Sequence, residues 1–171
     1  MKKPILSALL LGSLLASCAP SMAGAGAPTV VAPGQIWTVD VSGGAVSTVT
    51  VGAAKRRDGS QIVTYVSPLH ADGAASIEDN VGYAPAGAMP EFMVVGQTRV
   101  DAGKKTAFTC LLRNPVDTLN RPEIGLYRFA SADDFAKSED KAVDSLTDGI
   151  LSYLEGGPTA GDTTCTLTRV K

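Results

Sequence analysis

A single histidine, His70, in a chain of 171 residues excludes any metal site or proton relay that needs two or three imidazoles. The chain also lacks a G-x-S-x-G elbow, an H-E-x-x-H pair, and the glycine loops of nucleotide sites. The common hydrolase, zinc-peptidase and nucleotide-binding chemistries are therefore without their usual motifs. There is no C-x-x-C pair, which argues against catalytic thiol exchange. Aromatic residues make up only 5% of the chain, with one tryptophan. Valine, threonine, glycine and alanine are plentiful instead, and that balance favours strands and turns over a helical bundle.

The first stretch that carries information is Leu14-Leu15-Ala16-Ser17-Cys18. It closes an apolar run that follows Lys2 and Lys3. A basic start, an apolar centre over residues 5–15 and small residues before a cut are the three parts of a secretory signal. The run is about half the ~20 apolar residues of a spanning helix, and Gly12, Ser13, Ser17 and Pro20 interrupt it. Ser21-Met22-Ala23 offers the alternative of an ordinary cleaved signal. Leu15-Ala16-Ser17-Cys18 resembles the lipobox of bacterial lipoprotein precursors, a likeness confined to residues 1–18. The resemblance implies a diacylglyceryl group on the Cys18 thiol, cleavage before Cys18 and acylation of the new amino terminus. It further implies a cell-envelope location and lipid-bilayer attachment. Since Ala19 rather than aspartate follows the cysteine, it implies the outer membrane in bacteria that sort lipoproteins by this residue. Two or more acyl chains give stable anchoring, at ~0.8 kcal/mol per buried CH₂.

Removing residues 1–17 takes two of the 15 basic residues away and leaves 13 against 17 acidic ones, a net charge of −4. A mildly acidic domain with no broad basic face is a poor partner for nucleic acid. Residues 18–33 are uncharged and built of Ala, Gly, Pro, Ser, Thr and a few apolar residues, the composition of a lipidated, flexible tether. A single β-rich domain is expected over 34–171.

Within it, Trp37, Val39 and Val41 alternate with Thr38 and Asp40, and Ser42-Gly43-Gly44 turns the chain into a second alternating run ending at Val51. That is a hairpin signal. Lys55-Arg56-Arg57-Asp58-Gly59 reads as the next tip, followed by a β-rich run over 61–67. Residues 68–90, with three prolines, suggest a long loop or a weak strand between 74 and 83. Strands are expected over 91–100, 106–113, 124–129 and 163–170. A change of period places a helix over 131–141, N-capped by Ser131 or Asp133, and a further amphipathic turn or two built on Leu146, Ile150, Leu151 and Leu154. The expected fold is mainly all-β: a small antiparallel barrel or sandwich of seven to eight strands with a short helical insertion before the last.

With Cys18 assigned to lipid, Cys110 and Cys165 remain. Cys110 shares a strand face with Phe108 and Leu112, and Cys165 shares one with Leu167, so both sulfurs point inward. In an exported domain they are expected to form a disulfide on neighbouring strands. The residues left for recognition are the Lys55, Arg56, Arg57 tip, suited to an anion or a lipid headgroup, and His70 in the 68–90 segment. An irregular calcium loop of Asp72, Glu78 and Asp79 is a weaker alternative, because Pro68 and His70 fall where a helix-loop-helix calcium motif needs acids. No cofactor and no catalytic residue are assigned. Three functions stay open: a non-catalytic domain binding or scaffolding an envelope protein, a lipocalin-like carrier of a small apolar ligand, and a small hydrolase around His70.

The lipobox generates a direct expectation. Cys18→Ala should abolish lipid labelling and stall processing, and intact mass of the wild-type first residue should carry the acyl groups; a fully soluble protein with a bare Cys18 would refute it.

Overall fold

The computed structural model describes residues 30–44, 46–56, 62–87 and 90–171. The signal, Cys18 and Arg57 lie outside the described residues. Ten strands and three short helices follow in the order β1 (Ile36–Val41), β2 (Ser47–Thr50), β3 (Ala53–Arg56), β4 (Val63–Val66), β5 (His70–Asp72), β6 (Ala75–Ala84), β7 (Phe92–Asp101), β8 (Lys104–Arg113), β9 (Pro122–Ala130), α1 (Ala132–Lys137), α2 (Glu139–Thr147), α3 (Ile150–Gly156) and β10 (Thr164–Arg169).

All pairings are antiparallel, and nine strands form one path, β2-β1-β10-β9-β8-β7-β6-β4-β3, with β5 paired to β6. The single sheet curls into a half-barrel, so the barrel-like alternative holds over the sandwich. Its two outermost strands, β2 and β3, are consecutive in the chain, separated only by Val51 and Gly52. The seam is thus crossed by the chain itself. A Cβ on Gly52 would lie 2.1 Å from the Val66 carbonyl oxygen, so only glycine permits this crossing.

Strand number exceeds the expected seven to eight for two reasons. Residues 68–90 hold, as the ten-residue β6, the strand allowed between 74 and 83, and a turn at Gly73 folds an additional strand, β5, back on it. The basic tip is also partly strand, because β3 runs through Lys55 and Arg56 to pair with β4. The helical insertion is three helices rather than one with a following turn. Ser131 caps α1 in a reciprocal capping box with Asp134, and the extended Ser138 both ends α1 and caps α2.

The concave face encloses the main core of Trp37, Val39, Val49, Val81, Met93, Val95, Leu112 and Leu167. Val30 and Val31 plug the end of the barrel where the described chain begins, called here the lower end. The Tyr65 hydroxyl donates to the Val31 carbonyl, and the Gln35 amide donates to the Val30 carbonyl. On the convex face, Phe92, Leu111 and Leu126 pack under Tyr153 and Leu154 of α3. This explains why β7 is apolar on both faces at its start: Met93 and Val95 point in, Phe92 and Val94 point to α3.

Cys110 and Cys165 are bonded, but not on neighbouring strands. β9 lies between β8 and β10, with Gly125 in register with Cys165. The sheet coils so tightly there that the two Cα atoms are 6.1 Å apart. A Cβ on Gly125 would meet the Leu111 carbonyl oxygen at 2.5 Å and the Cys110 sulfur at 3.1 Å. The bare backbone of Gly125 is what lets a disulfide pass over a strand.

Closing a 55-residue separation stabilises the fold by up to about 4 kcal/mol on the chain-entropy account. Urea melts should show Cys110→Ala/Cys165→Ala losing about 2–4 kcal/mol. Gly125→Ala should cost about 1–3 kcal/mol by crowding with the disulfide intact. A Gly125→Ala protein as stable as wild type would show that the strand has room to give.

Candidate ligand-binding mouth

The end opposite the Val30–Val31 plug is less completely filled. There Val39, Val41, Gly44, Ser47, Phe108 and Tyr127 line a recess of about 120 Å³. The residues arrive by strand parity. Val39 and Val41 continue the inward face of Trp37, while Phe108 and Tyr127 continue that of Cys110 and Gly125. The Phe108 and Tyr127 rings stack with centroids 6.0 Å apart, a geometry that aromatic pairs favour. Burial pushes the Tyr127 hydroxyl above its ordinary range. Two residues on, Phe129 takes the same face of β9 and stands 49% exposed, so the apolar surface runs out of the recess onto the rim.

Polar groups frame this mouth and are committed to structure. Asp79 is 1% exposed. Its carboxylate accepts the Thr50 N–H at 2.9 Å and the Gln97 amide at 2.8 Å. Gln97 also donates to the Thr48 carbonyl, and Ser67 donates its hydroxyl to the Thr50 carbonyl at 2.6 Å. These bonds stitch β2 to β6, to β7 and to the end of β4 across the seam. On the outer side, Arg128 donates to the Asp148 carbonyl at 2.6 Å and pairs with Asp162 at 3.0 Å. That ties the end of α2 and the loop before β10 to β9. The Asp162 carboxyl is held down to about 2, first by the Thr159 N–H and hydroxyl, then by Arg128.

The residues expected to mediate recognition do not meet. Arg56 is in register with Val63 and thence Tyr83, while His70 faces Ile77. Six residues of β6, about 20 Å at ~3.3 Å each, separate them. Lys55 and Arg56 sit at the lower end and His70 at the upper. Arg57 lies outside the described residues. The His70 side chain is exposed on β5. The three acids considered for calcium are also apart in role. Asp72 pairs with Arg99 at 2.7 Å, Asp79 closes the seam, and Glu78 takes the other face of β6.

Sequence reasoning missed the mouth. Phe108 was legible as an inward residue beside Cys110, but its meeting with Tyr127 at an open end depends on which strands pair. No protein-family model, curated protein or solved structure matches the chain.

Asp162 supplies a pH test. Its folded value lies below the unfolded one, so its contribution is present above about pH 4 and is lost as pH falls through about 2. Asp162→Asn should be less stable than wild type at neutral pH and converge with it near pH 2. A constant difference across that range would mean that Asp162 titrates normally.

Proposed function

We propose that the protein is a membrane-anchored envelope lipoprotein whose β domain is a non-catalytic binding module, holding an apolar side chain of an envelope protein at the Phe108–Tyr127 mouth. The observation that carries this reading is the continuous apolar path from the recess to Phe129, which leaves a large ring half exposed at one end of an otherwise filled barrel. Aromatic anchors beside a desolvated niche are the usual centre of a recognition surface. The lipobox-like segment supports the anchor, and rigid strands support the mouth.

A carrier that encloses its ligand fits the interior less well. Drug-sized ligands occupy about 300–1,000 Å³, whereas the recess is about 120 Å³ and Trp37 and Met93 fill the space beneath it. The domain reads as a binder rather than a hydrolase because its well-placed acids are spent. Asp79 serves the seam, Asp134 the α1 cap and Asp162 the Arg128 tie.

A photoreactive phenylalanine analogue at position 129, in intact cells, tests the reading. One discrete crosslinked protein is expected, lost when Val41→Asp places a charge in the recess and retained in His70→Ala. A crosslink pattern unchanged by Val41→Asp, or a biological role eliminated by His70→Ala with folding preserved, would overturn it.

A further inference from the structure

The lower end of the barrel, where Val30 enters, differs from the rest of the domain in charge. Among the described residues, the register and loop bonds bring Lys55, Arg56, Arg113, Arg121, Arg169 and Lys171 to this end, with only Glu91, Asp117 and Glu123 beside them. The remainder of the described domain holds six cations against thirteen carboxylates. A domain that is acidic as a whole therefore has one basic end.

Some of those cations are committed. Arg169 pairs with Asp117. Arg113 is half-buried beside Tyr153, its Nε without a hydrogen-bond partner. Lys55, Arg121 and Lys171 are exposed. Exposed apolar side chains accompany them: Val116 at 38%, Leu119 at 50% and Val170 at 41%. The Asn120 N–H donates to the Arg169 carbonyl, and Ile36 exchanges backbone bonds with Lys171 and Val170. Leu119, Arg121, Val170 and Lys171 are thereby held on one rim beside the Val30–Gln35 plug. Interleaved cations and aliphatic side chains suit the headgroup boundary of a bilayer, where stems bury and charges meet lipid phosphates.

We infer that this rim is a membrane-contact surface which seats the domain, lower end down, on an anionic phospholipid bilayer. The inference rests on the anchor reading for its geometry. Cys18 precedes Val30 by twelve residues, which span no more than about 40 Å, so a lipid on Cys18 holds the domain within reach of the membrane from this end. Charge then selects the orientation. An anionic surface attracts the basic rim and repels the acidic helical and upper parts. The aromatic mouth at the opposite end faces away from the bilayer.

The test uses the mature lipidated protein in vesicles of phosphatidylcholine with or without phosphatidylglycerol. A fluorophore is placed through Leu119→Cys or, at the upper end, Lys104→Cys, and quenched by nitroxide-headgroup lipid. Strong quenching at 119 and little at 104 is expected in the anionic vesicles. It should fall in 0.5 M salt, where the Debye length shrinks, and in Lys55→Glu/Arg121→Glu/Lys171→Glu. Three cations at an anionic surface are worth about a hundredfold in association. The milder Lys55→Gln/Arg121→Gln/Lys171→Gln should fall in the same direction if the reversal variant misfolds. Equal quenching at both positions, or quenching indifferent to the variants, would overturn the inference while leaving the anchor intact. Should mass spectrometry find Cys18 bare, the anchor reading fails by itself. The rim is then read from co-sedimentation: binding of the purified protein to phosphatidylglycerol vesicles, lost in the triple variant, upholds it, and charge-independent or absent binding refutes it.

Discussion

Asp79 sits on β6 where β2, one end of the sheet, closes on β6 and β7, and its carboxylate oxygens each take a hydrogen bond, one from the Thr50 backbone and one from Gln97. A carboxylate removed from water costs several kcal/mol unless it is paired or hydrogen-bonded, so this group is tolerable only with the seam closed. Opening the seam would strand both the Thr50 N–H and the carboxylate. The chain crosses the same place at Gly52, pressed against the Val66 carbonyl. The neighbouring Ser67 returns two further bonds, its N–H to the Asp79 carbonyl and its hydroxyl to the Thr50 carbonyl. Covalent continuity and buried polarity thus act on one spot. The edge of β2, which would otherwise be open to pairing with other chains, is largely taken up there.

The disulfide works on the opposite wall. Drawing β8 and β10 together over Gly125 steepens the coil of the sheet just where β9 carries helices on its outer face. The curl does two things at once. It brings Val41 of β1 within reach of Phe108 and Tyr127 at the mouth, and it presents Leu111 and Leu126 outward to Tyr153 and Leu154. A flatter sheet would separate Val41 from Phe108 and leave no recess. The mouth is therefore a by-product of how the core is closed, which is why it is small.

Much of the strand pattern was legible from single-residue alternation. Trp37, Val39 and Val41, or Cys110 with Phe108 and Leu112, identify their inward faces without any knowledge of partners. Cysteine pairing was legible for the same reason, since both sulfurs point to one interior. The intervening strand was not, because alternation reports face and not neighbour. In the segment 68–90 the strand allowed between 74 and 83 is β6, which carries Gly82 within it, while β5 was hidden because the prolines lie outside the strands and Gly73 makes a hairpin turn (φ +61°). The helix over 131–141 split at Ser138, a residue whose side chain accepts the Lys141 N–H; two consecutive caps look like one helix when only charge and period are read. The mouth and the basic rim were beyond reach for one shared reason. Each joins residues from strands distant in sequence, and their meeting depends on register.

The two ends of the barrel are physically unlike, and the difference begins with the same few residues. Val30 and Val31 fill the lower opening and are held by Tyr65 and Gln35, so what that end presents to its surroundings is the charge and the apolar side chains of its rim. Among the described residues nothing equivalent closes the upper end, where Val41, Phe108 and Tyr127 cover one another and Phe129 remains partly in water. An apolar ring at an open end costs solubility and gains nothing for the core, since Leu167 and Met93 are already buried without it. The polar seam beneath the mouth keeps the opening from collapsing further, because Asp79 and Gln97 hold β2 at a fixed distance from β7. Stiffness at the seam and apolarity at the rim are what the proposed binding would draw on, since a shallow recess that is already ordered spends no free energy on ordering.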